Sequence, residues 1–290
     1  IMKLISKQPD HRPTSAQEVL RLLEQISAGE RVPFIISEGP RHNLPAQPSH
    51  FIGRERELAE IDHLLADPAC RLLTLVGAGG MGKTRLALEV AQRNLAKFPA
   101  GVRLTQLAPI DRNDAVPSAV TAALELKPEG SVTDMIIAGL QLRVLLLVID
   151  NCEHVLDGVA NLVGLILERC PEVKVLVTSR EPLHLAGEQL YPVSGLLLPD
   201  QHPAPEQLAE IDAVRLFVER ASAVRPEFAL TANNTADVVT ICQTLDGMPL
   251  AIELAAARVR ALSPRDIARR LSYQFRLLTA SQRADVPHHQ

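Results

Sequence analysis

The sequence predicts an α/β protein in two parts: a parallel sheet covered by helices, followed by a small all-α domain. Three observations predict it. From Arg71 to Val193, short apolar runs alternate with longer helical patterns, and the runs are continuously apolar, as strands buried on both faces are. A glycine-rich turn separates the first run from the first helical pattern. Beyond about Pro205 no strand pattern remains, and four stretches rich in Ala, Leu and Arg read as helices.

The bulk numbers agree with such a protein. The 290 residues are 47% hydrophobic and 22% charged, enough for about two domains with cores of their own. Aromatics make up 3% and Trp is missing, so the cores must be built from Leu, Val, Ile and Ala. A formal net charge of −4 argues against a chain whose main task is coating nucleic acid. Cys70, Cys152, Cys170 and Cys242 are scattered without a Cys-x-x-Cys pair, which suits reduced thiols in a cytoplasm better than a disulfide framework or a zinc site. Cys152-x-His154 is the nearest approach to a ligand pair and has no second pair to complete it. The longest apolar stretch, Val144 to Ile149, is far short of the roughly 20 residues that cross a bilayer. The chain opens at Ile1 inside a helical pattern and is expected to be a piece of a longer protein.

Taken in order, residues 1–28 form a small amphipathic unit in which Ser15 and Glu18 have capping-box spacing. Residues 29–48, rich in Pro, Gly and Ser, read as a linker. The α/β domain is expected over 49–198, opening with a charged helix from Glu55 to about Leu65. Its strands are Arg71–Val76, Val102–Leu107, Val144–Ile149, Val173–Thr178 and Gln189–Val193. Helices fall near 83–96, 113–124, 132–141 and 155–169. The helical domain, 199–276, carries helices near 206–225, 233–245, 249–261 and 264–272, and 277–290 is a connector.

The chemistry begins at Gly77-Ala78-Gly79-Gly80-Met81-Gly82-Lys83-Thr84, which matches G-x-x-x-x-G-K-[ST] after a strand and before a helix. Its glycines let the backbone curl and aim N–H groups at phosphate oxygens. The following helix presents its positive end to the same anion. Lys83 supplies a point charge to the terminal phosphates, and the Thr84 hydroxyl is a candidate Mg²⁺ ligand. With Arg85, the run 77–85 is the predicted nucleotide-binding segment. Asp150 ends the apolar run Val144–Ile149. If that strand neighbours the one before the glycine turn, the carboxylate stands beside the phosphates and holds Mg²⁺, usually through a water. Arg180, in Val177-Thr178-Ser179-Arg180, is placed either to touch a γ-phosphate or to sit in a solvated turn; spacing does not choose between them. Lys83, Asp150 and Arg180 are the candidate catalytic residues.

In sequence order these motifs resemble the STAND class of signalling P-loop ATPases, in the bacterial branch related to NB-ARC proteins and LuxR- or AfsR-like transcriptional regulators. FIGRERELAEI resembles the family's entry segment, LTLVGAGGMGKTRLALEVA its phosphate loop and LLLVIDNCEHV its Mg²⁺ motif. VLVTSREPL is similar to its arginine sensor and LDGMPLAIELAAARVR to its helical-domain motif. The resemblance implies that Gly53 and Arg54 lie near adenine and ribose, that Pro249 packs against adenine, and that Arg180 senses the γ-phosphate. It also implies ADP in a closed state and ATP in an open one that self-associates or engages a partner protein. Asn151 departs from the pattern, because many relatives carry there a second acid that activates water. Glu153 stands two residues on as a substitute of unproven reach. This favours a slow, switch-like ATPase over a rapid AAA+-like motor. The stretch KLISKQPDHRPTSAQEVL resembles the last helices of a Ser/Thr protein kinase lobe, although an ordinary capped surface helix would look the same, and no catalytic kinase motif accompanies it. RLLTASQRADVPHHQ resembles a connector into a winged-helix domain. DNA contact is therefore expected only through regions outside 1–290: Arg258, Arg260, Arg265, Arg269, Arg270 and Arg276 give the last helices a basic cast, but Glu253 and Asp266 lie among them, as on a solvated helical face.

Overall fold

The computed structural model describes residues 42–126, 130–199, 208 and 210–273. The kinase-like segment 1–28, most of the linker and the connector 277–290 lie outside the described residues. Among the described residues no helix is long and apolar enough to cross a membrane.

Five strands form one all-parallel sheet: β1 (Leu72–Val76), β2 (Val102–Gln106), β3 (Leu145–Asp150), β4 (Val173–Ser179) and β5 (Glu188–Pro192). Their order is β2-β3-β4-β1-β5. Side chains alternate between two cores because successive Cβ atoms point to opposite faces of a strand. Leu145, Leu147 and Ile149 enter one core with Val173, Val175 and Val177, covered by α3 (Val116–Ala123), α4 (Val132–Leu140) and α5 (Leu156–Arg169). Leu146 and Val148 enter the other with Leu73, Leu75 and Leu176, under α1 (Glu55–Ala66) and α2 (Lys83–Arg93). β3 is buried along its whole length.

The order corrects one premise. β3 does not neighbour β1, because β4 lies between them, in register with both. Two inter-strand steps separate the phosphate-loop strand from the Asp150 strand, roughly 9–10 Å. α2 leaves the end of β1 and packs across β4 and β3, and this carries its first turn over to the tip of β3.

Several helices are shorter than their periodicity suggests. The 83–96 pattern is α2 followed by a 3₁₀ turn, Leu95–Lys97, and 113–124 opens as a 3₁₀ turn, Asn113–Ala115, before α3. Pro117 sits in the first turn of α3, where its missing N–H costs no helical bond. The helices after the sheet are α6 (Asp212–Val224), α7 (Thr235–Thr244), α8 (Pro249–Ala257) and α9 (264–273). α6 opens at Asp212, and the expected helix start at 206 lies outside the described residues. These helices share a third core around Phe217, which meets Phe228 edge-to-face at 6.0 Å.

At the β2 edge, Asn43 imitates a strand. Its amide donates to Leu104 O (2.8 Å) and its Oδ1 accepts from Leu104 N (2.7 Å).

Leu147 is fully buried in the central β3, whereas Leu190 on β5 is 49% exposed. Leu147→Ala is expected to cost about 2–5 kcal/mol through lost transfer energy and a cavity. Leu190→Ala should stay within about 0.5 kcal/mol. Urea denaturation of the two variants checks the contrast, and equal midpoints would contradict this packing.

Candidate functional site

The loop from Gly77 to Gly82 joins β1 to α2. Gly82 has φ +81° and is the residue before α2, a left-handed turn that costs a residue with a Cβ. No side chain caps the helix start, so the first-turn N–H groups remain for an anion.

Lys83 is 9% exposed and its Nζ donates to Gly77 O (2.6 Å) and Ala78 O (3.0 Å). Burial pushes its pKa down; Glu153 and Asp150 oppose that shift, and Arg180 reinforces it. The four charges therefore act on one another within a single site.

Asp150 is 5% exposed. Its Oδ1 accepts from Thr84 Oγ1 (2.7 Å) and from Thr178 Oγ1 (2.6 Å). Thr178 Oγ1 in turn accepts from Asn151 N at 2.9 Å. A carboxylate and a hydroxyl held together are the hard oxygen donors that Mg²⁺ takes alongside phosphate oxygens and waters. Among the described residues no group of three or more His, Cys, Asp or Glu could hold a metal.

Asn151 has φ +64°, a conformation that Asn tolerates better than most residues. The turn it makes brings Glu153 back to the site. Arg180 Nε pairs with Glu153 Oε1 at 3.0 Å, with Arg180 62% exposed and Glu153 20%. The other end of the guanidinium reaches the phosphate loop, because a Cβ on Gly79 would lie 3.4 Å from Arg180 NH2. Cys152 and His154 have separate structural tasks. The Cys152 thiol is buried, which pushes its pKa up, and His154 Nε2 lies 3.0 and 2.6 Å from the carbonyls of Leu107 and Ile110.

The opposite wall comes from the helical domain. Leu250 N donates to Gly80 O at 3.2 Å, and Pro249 lies against Gly82. Residues 49–54 strap the two walls together, with Phe51 packed on the sheet core and Ile52 on the helical core. Arg54 NH2 donates to Met81 O and Ser194 O, both at 2.8 Å, and its backbone N donates to Asp212 Oδ2 (3.2 Å) at the start of α6. Burial pushes the Asp212 carboxyl up, and that backbone bond opposes it. Arg85 NH2 donates to Ser49 O and His50 O (3.0 Å each), and its NH1 lies 3.6 Å from Glu253. Arg220 bonds both Glu253 (2.9 Å) and Ser49 Oγ (3.0 Å). Between the walls lies a cavity of about 390 Å³, bordered by Lys83, Thr84, Glu153, Arg180, Arg54 and Pro249.

Lys83, Thr84 and Asp150 thus come together, with Arg180 reaching them across Glu153. Arg54 and Arg85 spend donors on protein carbonyls at the rim. Sequence reasoning missed Thr178, Asp212 and Arg220. Thr178 carried a signal, a hydroxyl directly after the apolar run Val175–Val177. The other two carried none.

No family model matches this chain. It is 42% identical over 222 residues to a candidate HTH-type transcriptional regulator of Mycobacterium tuberculosis, over 76% of this chain and 24% of that protein. It is 29% identical over 272 residues to regulatory protein AfsR of Streptomyces griseus, over 87% of this chain and 26% of AfsR. The chain spans about a quarter of the length of these relatives. Among solved structures, a signal-transduction ATPase with numerous domains (STAND) carrying a tetratricopeptide-repeat sensor, from Pyrococcus horikoshii, aligns at TM-score 0.48 and 18% identity, covering 80% of this chain and 33% of that one.

The strap depends on Gly53, which has φ +68° and lies so close to the Asp212 carboxylate that a Cβ would collide with it. Gly187 has φ +79° with nothing near its would-be Cβ. Gly53→Ala is expected to lower stability by clearly more than Gly187→Ala, which bears only the backbone strain of about 1–3 kcal/mol. Denaturation midpoints decide this, and equal losses would remove the contact between strap and α6.

Proposed function

We propose that this chain is an ATP- and ADP-binding switch with slow Mg²⁺-dependent hydrolysis, working within a larger signalling or transcriptional regulator. The observation that supports it best is the 2.7 Å bond from Thr84 to Asp150, which assembles a metal-binding oxygen pair at the first turn of an uncapped helix, beside Lys83. Phosphates would lie along 77–84, with Lys83 and the loop N–H groups as donors. Thr84 and Asp150 would hold Mg²⁺, which neutralises phosphate charge when bound. The base and ribose would occupy the cavity toward Arg54 and Pro249. That two matched relatives are named as regulators supports the regulatory part of this reading.

A nucleotide between two walls shifts their equilibrium only by binding one arrangement more tightly than the other. Arg180 is suited to supply that difference, because its guanidinium reaches the loop at Gly79. Asn151 cannot act as a base, and Arg180 engages Glu153; both favour slow turnover.

In titration calorimetry, Lys83→Ala should lose about 10–100-fold in nucleotide affinity, for charge-assisted bonds of roughly 1.5–3 kcal/mol. Asp150→Ala should weaken binding of Mg·ATP far more than of metal-free ATP. Unchanged affinity in the first variant, or equal losses with and without metal in the second, would falsify this assignment of the site. The switch itself is checked by denaturing freshly purified protein and weighing the released nucleotide: retained ADP is expected, whereas nucleotide-free protein with fast steady-state turnover indicates a motor.

A further inference from the structure

We infer that Glu153 is the general base of hydrolysis, the carboxylate that takes the proton of the water attacking the γ-phosphorus. The inference rests on reading the site as one for Mg·ATP and adds the residue that performs the chemistry.

The acids around the loop have different occupations. Asp150 accepts hydrogen bonds from two hydroxyls on one oxygen. Glu253, on the helical wall, is held by Arg85 and Arg220. Position 151 is an amide. Glu153 differs from all of these. Its Oε1 meets Arg180, while its Oε2 is buried with no hydrogen-bond partner. A buried carboxylate oxygen without a donor is costly in a folded protein, and a site that takes up a proton at that atom gives it a use.

The placement is secured from the backbone. Asn151 N donates to Thr178 Oγ1 (2.9 Å) and Cys152 N to Thr178 O (3.1 Å), so the 150–153 turn is stitched to the end of β4. Glu153 is also the neighbouring charge that acts most strongly on the Lys83 ammonium. It borders the same cavity as Lys83 and Thr84. Arg180 spans from Glu153 to the loop at Gly79. Terminal phosphate oxygens at the loop compete with Glu153 for that guanidinium, since both are anionic partners for one charge-assisted donor. When Arg180 turns to the phosphate, both oxygens of Glu153 are free of it.

The step balances. A water oxygen forms a bond to the γ-phosphorus while the bond from that phosphorus to the β–γ bridging oxygen breaks. The electron pair stays on the bridging oxygen, which leaves with ADP. The water proton passes to Glu153 and from there to solvent, leaving inorganic phosphate.

The test uses the intact 290-residue chain, with Mg·ATP affinity measured by calorimetry and phosphate release measured in single turnover. Glu153→Gln keeps the size and hydrogen-bonding reach of the side chain. It should bind Mg·ATP within about threefold of the parent while its chemical step falls about 10²–10⁴-fold, the range for a lost general base. Glu153→Asp should retain more activity than Glu153→Gln. Phosphate release by Glu153→Gln at the parent rate overturns the inference and leaves nucleotide binding standing. Matched losses of affinity and rate also overturn it, reducing Glu153 to a holder of Arg180. A parent chain that binds Mg·ATP but never releases phosphate overturns the inference together with the proposed hydrolysis and leaves the nucleotide-binding switch standing, whereas one that binds no nucleotide overturns the whole functional reading.

Discussion

The site depends on the oxygen of Asp150 that accepts two hydroxyl hydrogen bonds, from Thr84 on α2 and from Thr178 on β4. A carboxylate at the tip of a fully buried strand is unfavourable unless its lone pairs are used. Here they are used by two elements that reach it from different directions. The junction fixes where the phosphate-loop helix begins relative to β3, although β4 intervenes between their strands. Its accuracy is inherited from the sheet. Ile149 is in register with Val177, and a slip of β4 by one residue would turn Thr178 toward the opposite face. The Leu and Val packing that fixes register therefore also positions the oxygens of Thr84, Thr178 and Asp150.

A second constraint sets the other wall. Arg54, Arg85 and Arg220 border the cavity, yet each spends donors inside the protein, on carbonyls of the loop and strap or on Glu253 and Ser49. Two neighbouring residues, Phe51 and Ile52, enter different cores. The strap thus couples the sheet and the helical cluster through short backbone-directed bonds that any tilt between them must stretch. Asp212 strengthens this coupling, since its buried carboxylate accepts from the Arg54 backbone at a point where only glycine fits alongside.

Much of this was legible in the sequence. Continuous apolar runs specify strands buried on both faces, and G-x-x-x-x-G-K-T between a strand and a helix specifies its own local geometry. The strand positions and the helices that follow them come from such short-range rules; the approach of Asp150 to Thr84 does not, because it was expected between neighbouring strands and arises across β4. Nor does sheet order. Nothing in the spacing of β1, β3 and β4 says that the last inserts between the other two, and Thr178 gains its role only through that insertion. Asp212 and Arg220 lay beyond reach for a related reason. Their partners, Arg54 and Ser49, are 158 and 171 residues away, and a helical Asp or Arg carries no mark of a distant partner. Helix ends were overextended where 3₁₀ turns continue the apolar pattern without the α-helical bonding, as at Leu95–Lys97 and Arg258–Arg260.

The charges at the loop are internally matched. Lys83 is folded onto the carbonyls of Gly77 and Ala78, and Arg180 is paired with Glu153. A polyanion entering this site must replace existing partners, so each new bond to Lys83 or Arg180 gains only its excess over the bond it displaces. Such exchange lowers affinity, but it makes occupancy and conformation inseparable. Lys83 leaves two loop carbonyls that then face solvent or the helix, and Arg180 leaves a carboxylate poised over the same cavity. The loop joins the helical wall through Gly80 O and Leu250 N, so a rearrangement of the loop carbonyls is transmitted directly to α8. With a phosphate bound at the loop, that route would connect it to the position of the other wall without a long chain of intermediaries.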